Sequence, residues 1–254
     1  RDANFSIMQD QEQLNRQIHK PSIFITSVGR TATLFLARLY NQILPECTAY
    51  HEPDVAEFKP KKLANGVANF GLYHNTLGKF SARHSLRRLS VMRQAGLVSP
   101  QWAARILANN RHHFLQKITS PLYVEANCQL VGLIDILPAV FPKSKIIFLV
   151  RDGREWVRSM ISHTGGRFDL LDRLNTVNHG RLTAHMLPED PWHGHWNNFN
   201  QFQKHCWWWT AVNRYALQTV ESTPQARLYT YEDVFLGAHR EQFLCDMLDF
   251  STSF

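Results

Sequence analysis

The fold of this chain is decided by one stretch of sequence, Lys145-Ile-Ile-Phe-Leu-Val-Arg-Asp-Gly-Arg-Glu-Trp-Val-Arg-Ser159. Its apolar part, Ile146 to Val150, is typical of a parallel strand that is buried on both faces. The strand pattern stops at Arg151, and a helix pattern follows. Open α/β sheets bind anions at such corners, because free N–H groups of the first helical turn point toward the ligand. Arg151 and Ser159, eight residues later, are therefore candidate anion ligands. The alternative is an ordinary corner in which Arg151 pairs with a neighbouring acid.

A second strand–loop–helix unit lies near the start of the chain. The apolar run Ser22-Ile-Phe-Ile-Thr-Ser27 is followed by the loop Val28-Gly-Arg-Thr-Ala-Thr33 and by an amphipathic helix pattern. Each unit therefore places an arginine and hydroxyl side chains near the start of a helix, which suits a phosphate or sulfate group. This loop differs from the loop that binds nucleoside triphosphates, because no Gly-x-x-x-x-Gly-Lys-Ser/Thr sequence occurs in the chain.

The order of patterns along the chain predicts the fold class. Strands alternate with helices, which indicates a three-layer α/β fold with helices on both faces of a central parallel sheet. The length and the apolar content of 44% agree with a single domain over residues 1–254. The predicted strands are 22–27, 47–50, 121–125, 145–150 and 226–231, and the predicted helices lie near 33–44, 132–140, 154–163, 205–222 and 239–249.

Two segments depart from the alternating pattern. Residues 56–118 are predicted to form a mostly helical insert, interrupted by several glycines and a proline. Residues 164–200 are rich in Gly, His, Asn and Trp, and they are predicted to form a long loop that serves as a lid.

Both loops resemble those of the sulfotransferases that use 3′-phosphoadenosine-5′-phosphosulfate (PAPS), especially the carbohydrate and bacterial branches. That family has a loop of the form Lys/Arg-Ser-Gly-Ser/Thr-Thr-x-Leu after its first strand, which Arg30-Thr-Ala-Thr-Leu-Phe-Leu36 resembles. A later strand of the family ends in Arg-Asp-Pro/Gly-Arg, with a serine eight residues after the first arginine, as Arg151 and Ser159 do. Ala226-Arg-Leu-Tyr-Thr-Tyr-Glu-Asp-Val234 is similar to the family's late strand. The resemblance spans roughly residues 21 to 250 and implies the sulfotransferase fold, which is related to the nucleotide kinases.

The resemblance also implies a donor and its ligands. PAPS would be the sulfuryl donor and 3′-phosphoadenosine-5′-phosphate (PAP) the product. Arg151 and Ser159 would bind the 3′-phosphate. Arg30 would neutralise the sulfate and the bridging oxygen, so that no metal ion is required. The 5′-phosphate would be cradled by the backbone amides of Thr31, Ala32, Thr33 and Leu34, with help from the two threonine hydroxyls.

Two residues of the first loop depart from the family pattern. Ala32 stands where glycine is usual, which narrows the backbone angles that the loop can adopt. Leu34 stands where a hydroxyl residue is common, so that one phosphate contact must come from another group.

The general base is expected directly after the second strand. His51-Glu-Pro53 should emerge at the same sheet edge as the phosphate loop. Carbohydrate-type relatives use a glutamate at about this point, so the resemblance implies Glu52 as the base, with His51 as the reserve candidate. The alternative is that Glu52 forms a buried salt bridge with an arginine.

Basic residues are concentrated in the helical insert. From Phe58 to Val124 there is no Asp or Glu, and this span holds eleven Lys and Arg residues. The chain has a formal net charge of +7, so the remainder sums to −4 (7 minus 11). Such a block favours an anionic partner, and the alternative is a solvated basic face. No nucleic-acid-binding module is recognisable. The expected partners are therefore PAPS and an anionic acceptor, which could be a glycan, a lipid, a small molecule or a carrier protein.

Other patterns limit the function classes. The four cysteines form no Cys-x-x-Cys or zinc spacing, so they are predicted to be reduced structural thiols. His193-Gly-His195 and His112-His113 lack a third ligand at a diagnostic spacing, so no metal site is predicted. No segment approaches the ~20 apolar residues of a membrane span, and no signal peptide is visible. A cytoplasmic location is predicted, with a Golgi-lumen enzyme or a domain cut from a longer protein as alternatives.

Three further motifs have two interpretations each. Trp207 to Trp209 cannot share one helical face, so that some pack in the core while another can border the adenine or acceptor cleft. Glu125-Ala-Asn127 either organises the acceptor site or caps a turn. Tyr231-Glu-Asp233 either fixes the last strand to its neighbours or contacts adenine.

Together these patterns predict a PAPS-dependent sulfotransferase that moves the sulfuryl group in line to an acceptor hydroxyl or amine. Two other classes stay open. A nucleotide-dependent kinase or phosphotransferase is disfavoured by the missing Gly-Lys-Ser/Thr. A non-catalytic module that binds an anion or glycan on the same fold is kept open by Ala32 and Leu34.

Overall fold

A computed structural model describes residues 17–54, 60–162 and 179–254. Its centre is a sheet of five strands in the order β2-β3-β1-β4-β5, and every neighbouring pair is parallel. The predicted α/β class with a central parallel sheet is therefore confirmed. The strands are β1 Ser22–Ser27, β2 Cys47–His51, β3 Leu122–Ala126, β4 Ser144–Val150 and β5 Ala226–Thr230.

Helices cover both faces of this sheet. In the described residues, the α-helices are α1 Thr33–Ile43, α2 Pro60–Phe70, α3 Leu72–Asn75, α4 Leu86–Gln94, α5 Pro100–Gln116, α6 Leu137–Val140, α7 Gly153–Ile161, α8 Gln201–Glu221, α9 Tyr231–Phe235 and α10 Arg240–Thr252. Short 3-10 helices span Leu77–Phe80, Cys128–Leu133, Ala184–Met186 and His193–Asn198. In the described part of the chain, no helix is long and apolar enough to cross a bilayer.

The central strands β1 and β4 send alternate side chains into two cores. Phe24 and Phe148 belong to the larger core, which also contains side chains of α4, α5, α7 and α8. Ile25 and Ile147 belong to the smaller core beneath α1 and α10. All six residues of β1 are buried, as expected for a strand with helices on both faces. The fold is therefore the predicted three-layer arrangement.

The five predicted strands are confirmed to within one residue, and the predicted helices differ more. The helix expected near 132–140 is a 3-10 helix, Cys128–Leu133, followed by the short α6. Pro138 lies in the first turn of α6, where its fixed φ suits the start of a helix rather than its interior. Helix α8 begins four residues before the predicted 205, because Asn200 and Gln203 form a capping box.

In the described part of the segment between β2 and β3, four α-helices occupy the region of the predicted insert. Residues 164–178 of the predicted lid at 164–200 lie outside the described residues. The remainder contains two 3-10 helices, Ala184–Met186 and His193–Asn198.

Candidate active site

The loop from β1 to α1 turns through left-handed backbone conformations. Gly29, Arg30 and Ala32 have φ angles of 82°, 58° and 59°. This conformation costs a residue with a side chain about 1–2 kcal/mol. Ala32 is the N-cap of α1, so that an alanine adopts the conformation for which glycine is preferred. Helix α1 begins directly after it, and the unpaired N–H groups of its first turn lie at the carboxyl edge of the sheet.

The two threonines of this loop have different roles. Thr31 is fully buried, and its hydroxyl donates a hydrogen bond to Ser27 Oγ over 2.6 Å. The same Ser27 oxygen accepts a bond from the Gly29 N–H, so Thr31 and Gly29 are both bonded to Ser27 and stabilise the turn. Thr33 Oγ1 instead lies 3.2 Å from His51 Nε2, which links the loop to the end of β2.

The loop after β4 is joined directly to the loop after β1. Arg151 Nη1 donates to the carbonyl oxygen of Arg30 over 3.0 Å. Arg30 Nε in turn donates to Ser159 Oγ over 3.1 Å. The Arg151 guanidinium also lies over the ring of Tyr231, 4.8 Å from its centre. The structure therefore brings Arg30, Arg151 and Ser159 together, although they are far apart in sequence.

The acids next to Arg151 are engaged elsewhere. Asp152 caps α7 and pairs with Arg154 over 3.0 Å, and Glu155 pairs with Arg158 over 2.7 Å. Arg151 Nε is buried and has no hydrogen-bond partner among the described residues. The interpretation of an ordinary corner with Arg151 bound to a neighbouring acid is therefore wrong.

These elements border a cleft of about 680 Å³ at the carboxyl edge of the sheet. Ser159 is joined to its wall through Arg30. The other candidate residues named from the sequence all line the cleft: Arg30, Thr31, Ala32, Thr33, Leu34, His51, Glu52 and Arg151.

Glu52 is held in the cleft wall by three features. Its φ is +48°, its backbone N–H donates to the carbonyl of Ala126 over 3.1 Å, and its Oε1 accepts a bond from Cys128 Sγ over 2.8 Å. A left-handed non-glycine residue of this kind persists only where surrounding contacts hold it, and such residues cluster at functional sites. Among the described residues, the acids in a buried salt bridge with an arginine are Asp54 and Glu125 rather than Glu52.

Cys128, which the sequence pattern indicates only as a structural thiol, is a further residue of this site. Burial raises the pKa of the Cys128 thiol well above its usual range, and the charge of Glu52 acts in the same direction. Cys128 therefore stays a neutral thiol that can donate to the carboxylate. One sequence signal could have indicated this role. Cys128 lies two residues after β3, and β3 lies between β1 and β2 in the sheet, so the residue follows the strand end between the two loops of the site.

Other cleft residues were also missed. Trp208 stacks on Trp156 with ring centres 5.3 Å apart, and its buried Nε1 has no hydrogen-bond partner among the described residues. Of the three consecutive tryptophans, Trp208 is thus the one that borders the cleft. The insert adds Arg87, Ser90, Val91 and Gln94 to the same wall.

A buried ionic cluster lies beneath this wall. Arg111 is fully buried and binds both carboxylate oxygens of Glu125, over 2.9 and 2.6 Å. Tyr123 and Asn127 donate to the same carboxylate, and Arg111 lies 3.5 Å from Asp54. Asn127 also caps the 3-10 helix that follows β3, because its Oδ1 accepts a bond from the Gln129 N–H over 2.9 Å. The capping interpretation is therefore confirmed for Asn127, while Glu125 belongs to the buried cluster.

The attraction between the opposite charges of the cluster outweighs the effect of burial on the pKa values of Asp54 and Arg111. Burial alone would raise the pKa of Asp54, but the charge of Arg111 reverses this and lowers that pKa below its usual value. Burial would lower the pKa of Arg111, but Glu125 and Asp54 raise it. Asp54 and Arg111 are therefore both ionised at neutral pH. Asp54 anchors the loop that carries Glu52 to α5 and to the end of β3.

The basic block of the insert is not one continuous solvated face. At least five of its eleven members form contacts within the protein, among them Lys79, which donates to the His84 carbonyl over 3.3 Å. Arg111 lies in the ionic cluster, Arg93 pairs with Asp135 over 2.7 Å, Arg88 donates to the Lys79 carbonyl, and Lys117 donates to the Ala68 carbonyl. By contrast, Arg83 and Arg87 are exposed.

A family model described as "Sulfotransferase family" matches residues 21–208, or 188 of the 254 residues. The match includes both loops of the cleft, Glu52 and the ionic cluster. The chain therefore belongs to the sulfotransferase family. A comparison with curated protein sequences found no match. In the described residues, no group of three or more His, Cys, Asp or Glu side chains is placed to hold a metal ion.

Replacing Glu125 by glutamine should strongly destabilise the protein, because it leaves Arg111 buried without its main counter-charge. We expect the free energy of unfolding to fall by about 3–5 kcal/mol in denaturant titrations. The control is Arg227→Gln, which removes an exposed pair with Asp246 and should cost less than about 1 kcal/mol. Equal effects of the two substitutions would contradict the importance of the cluster.

His74 should make the protein sensitive to acid. Burial lowers its pKa from 6.5 to about 3, and the charge of Lys79 acts in the same direction. The unfolded state therefore binds the proton first, so stability is complete above pH 6.5 and is lost as the pH falls toward 3. We expect this residue to lower the free energy of unfolding by about 3 kcal/mol between pH 7 and pH 4.

The substitution His74→Phe keeps the ring stacking on Phe70 and removes the titrating group. Denaturant titrations across this pH range should therefore show a smaller loss of stability than in the wild type. The same substitution at the exposed His113 is the control. An unchanged pH dependence in His74→Phe would show that His74 does not cause the acid sensitivity.

Proposed function

We propose that the protein transfers the sulfuryl group of PAPS to an acceptor hydroxyl, with an amine as the alternative nucleophile. The observation that supports this most strongly is the convergence of Arg30, Arg151 and Ser159 beside the start of α1, with Glu52 in the same cleft. Membership of the sulfotransferase family supports the reaction class. The donor, the acceptor and the base are parts of the proposal.

The 3′-phosphate of the donor would bind Arg151 and Ser159. Arg151 keeps its buried Nε available, and a guanidinium offers a planar set of donors that suits a phosphate. The adenine or the acceptor would contact Trp208, whose indole N–H is buried beside the cleft. The N–H groups at the start of α1 would bind the 5′-phosphate, as expected for an anion at a helix N-terminus.

Arg30 would neutralise the charge that develops during transfer. Its guanidinium is bonded to Ser159 through Nε, so entry of the donor would exchange that contact for phosphate and sulfate oxygens. The attacking oxygen forms a bond to sulfur while the bond from sulfur to the bridging 5′-phosphate oxygen breaks, and PAP leaves with the electron pair. Sulfuryl transfer resembles phosphoryl transfer, in which positioning and electrostatics supply most of the rate.

Glu52 would accept the proton of the attacking hydroxyl. The Cys128 thiol holds Oε1, which leaves Oε2 for the acceptor. His51, which lies 3.2 Å from Thr33, is the reserve candidate. The loop that carries Glu52 cannot move freely, because Asp54 is bound to Arg111. Such preorganisation is what a general base requires, since the base must lie within hydrogen-bond reach of the proton.

We also propose a single domain whose 56–118 insert and 164–200 loop shape the acceptor side. The support is that α4, which belongs to the insert, contributes Arg87, Ser90, Val91 and Gln94 to the cleft wall. Arg87 is exposed and basic, which suits an acceptor that carries negative charge.

Conversion of PAPS to PAP tests the proposed reaction. The wild type should convert PAPS faster with one member of a panel of sugars, phenols, lipids and steroids than with water. With that acceptor, Glu52→Gln should lower the rate by roughly 10²–10⁴-fold and leave PAP affinity near the wild-type value. The control is Glu46→Gln, an exposed acid ahead of β2, which should leave the rate unchanged. Full activity of Glu52→Gln would exclude Glu52 as the base, and failure of the wild type to bind or convert PAPS would overturn the proposed reaction.

The contact between Glu52 and Cys128 can be tested without an acceptor. Because burial and then the charge of Glu52 raise the pKa of Cys128, Glu52→Gln should increase the thiolate fraction and the rate of alkylation by iodoacetamide. Mass spectrometry of the modified peptides gives the rate at Cys128, and the exposed Cys245 is an internal control. An unchanged or slower reaction of Cys128 would contradict the contact.

A further inference from the structure

The helical insert exposes a cluster of large apolar side chains. Leu72, Tyr73, Leu77 and Phe80, which we call the apolar tip, lie within nine residues of each other and are 60–72% exposed. Single exposed apolar residues are ordinary on soluble proteins, but several together mark an interaction surface. The tip belongs neither to the cleft lining nor to either core.

The tip is part of a tightly folded turn, so its exposure does not come from an unfolded segment. Backbone hydrogen bonds join Thr76 to Tyr73 over 3.3 Å and Lys79 to Thr76 over 3.2 Å. A Cβ atom at Gly78 would lie 2.8 Å from the Tyr73 carbonyl oxygen. The close approach of the two short helices of the turn therefore requires glycine at this position. The Tyr73 ring also packs edge-on against His84, with ring centres 5.3 Å apart.

Basic residues accompany the apolar tip, and the guanidinium of Arg88 lies 5.8 Å from the centre of the Phe80 ring. No acid occurs between Phe58 and Val124, and the exposed residues Arg83 and Arg87 follow the tip directly in the chain. The partner must therefore be both anionic and apolar. A second copy of this chain would bring the same positive charges face to face, and a purely polar polyanion would leave four apolar side chains in water.

We propose that the apolar tip and its basic neighbours dock on the surface of a bilayer that contains anionic lipids. Aromatic and aliphatic side chains enter the boundary between headgroups and acyl chains, while nearby arginines contact the headgroups. A bilayer surface adapts to four separately projecting side chains and needs no shaped groove. Since Arg87 also lines the cleft, docking sets the cleft beside the lipid surface. This binding proposal does not rest on the proposed sulfuryl transfer.

Co-sedimentation with vesicles tests the docking. The full chain, without PAPS, is mixed with vesicles of phosphatidylcholine alone or of phosphatidylcholine with an equal amount of phosphatidylglycerol. The wild type should sediment with the anionic vesicles and much less with the neutral ones, and added salt should weaken the binding. Leu77→Ser and Phe80→Ser should each reduce the partition coefficient roughly tenfold or more. Arg83→Gln should reduce it roughly fivefold.

The matched control is Leu236→Ser, because Leu236 is 66% exposed, against 68% for Leu77, and lies outside the tip. This variant should bind as the wild type does. Thermal melting should show the same stability for all variants, since each replaced side chain is exposed. The proposal is overturned if the wild type does not sediment with anionic vesicles, or if Leu77→Ser and Leu236→Ser bind equally. It is also overturned if sizing of the wild type shows a dimer that Leu77→Ser dissociates, because the tip would then join two copies of the chain.

Discussion

The site depends on one buried charge, the guanidinium of Arg111. It lies beneath the cleft and pairs with Glu125 at the end of β3 and with Asp54 after β2. An unpaired charge at this depth would cost several kcal/mol, so the groups hold each other in place. The sheet order alone brings the loops after β2 and β3 near each other. The ion pairs of Arg111 with Asp54 and Glu125 fix these two loops in place. Glu52 projects from one of these loops and Cys128 from the other.

A second constraint acts on the opposite wall of the cleft. The Arg151 side chain binds the Arg30 carbonyl, and the Arg30 side chain binds Ser159, so the loops after β1 and β4 are linked in both directions. A donor that carries two phosphate groups would span these loops, while its reacting group faces Glu52. The residues proposed to bind the donor and the residue proposed as the base thus lie at one edge of the sheet.

Much of this arrangement could be predicted from local sequence. The apolar runs at β1 and β4 indicated that Arg30 and Arg151 would lie at one edge of the sheet, because parallel strands end at a common edge. The structure brings both arginines together there with Ser159. The long-range contacts could not be predicted. Arg111 looked like one of eleven solvated basic residues, since nothing near it in sequence shows that Glu125 and Asp54 become its partners. Cys128 was missed because its role depends on a carboxylate 76 positions away. The start of α8, by contrast, could have been predicted from local sequence, because Asn200 and Gln203 form a capping box there.

The central claim is that the cleft recognises the 3′-phosphate of an adenosine bisphosphate. The most direct measurement is calorimetric titration of the protein and of Arg151→Ala with PAP and with AMP, which lacks that phosphate. Each charged hydrogen bond contributes about 1.5–3 kcal/mol, so PAP should bind the wild type at least roughly tenfold more tightly than AMP. Arg151→Ala should lose most of this preference. Equal affinity of the wild type for both nucleotides, or an undiminished preference in Arg151→Ala, would contradict the account.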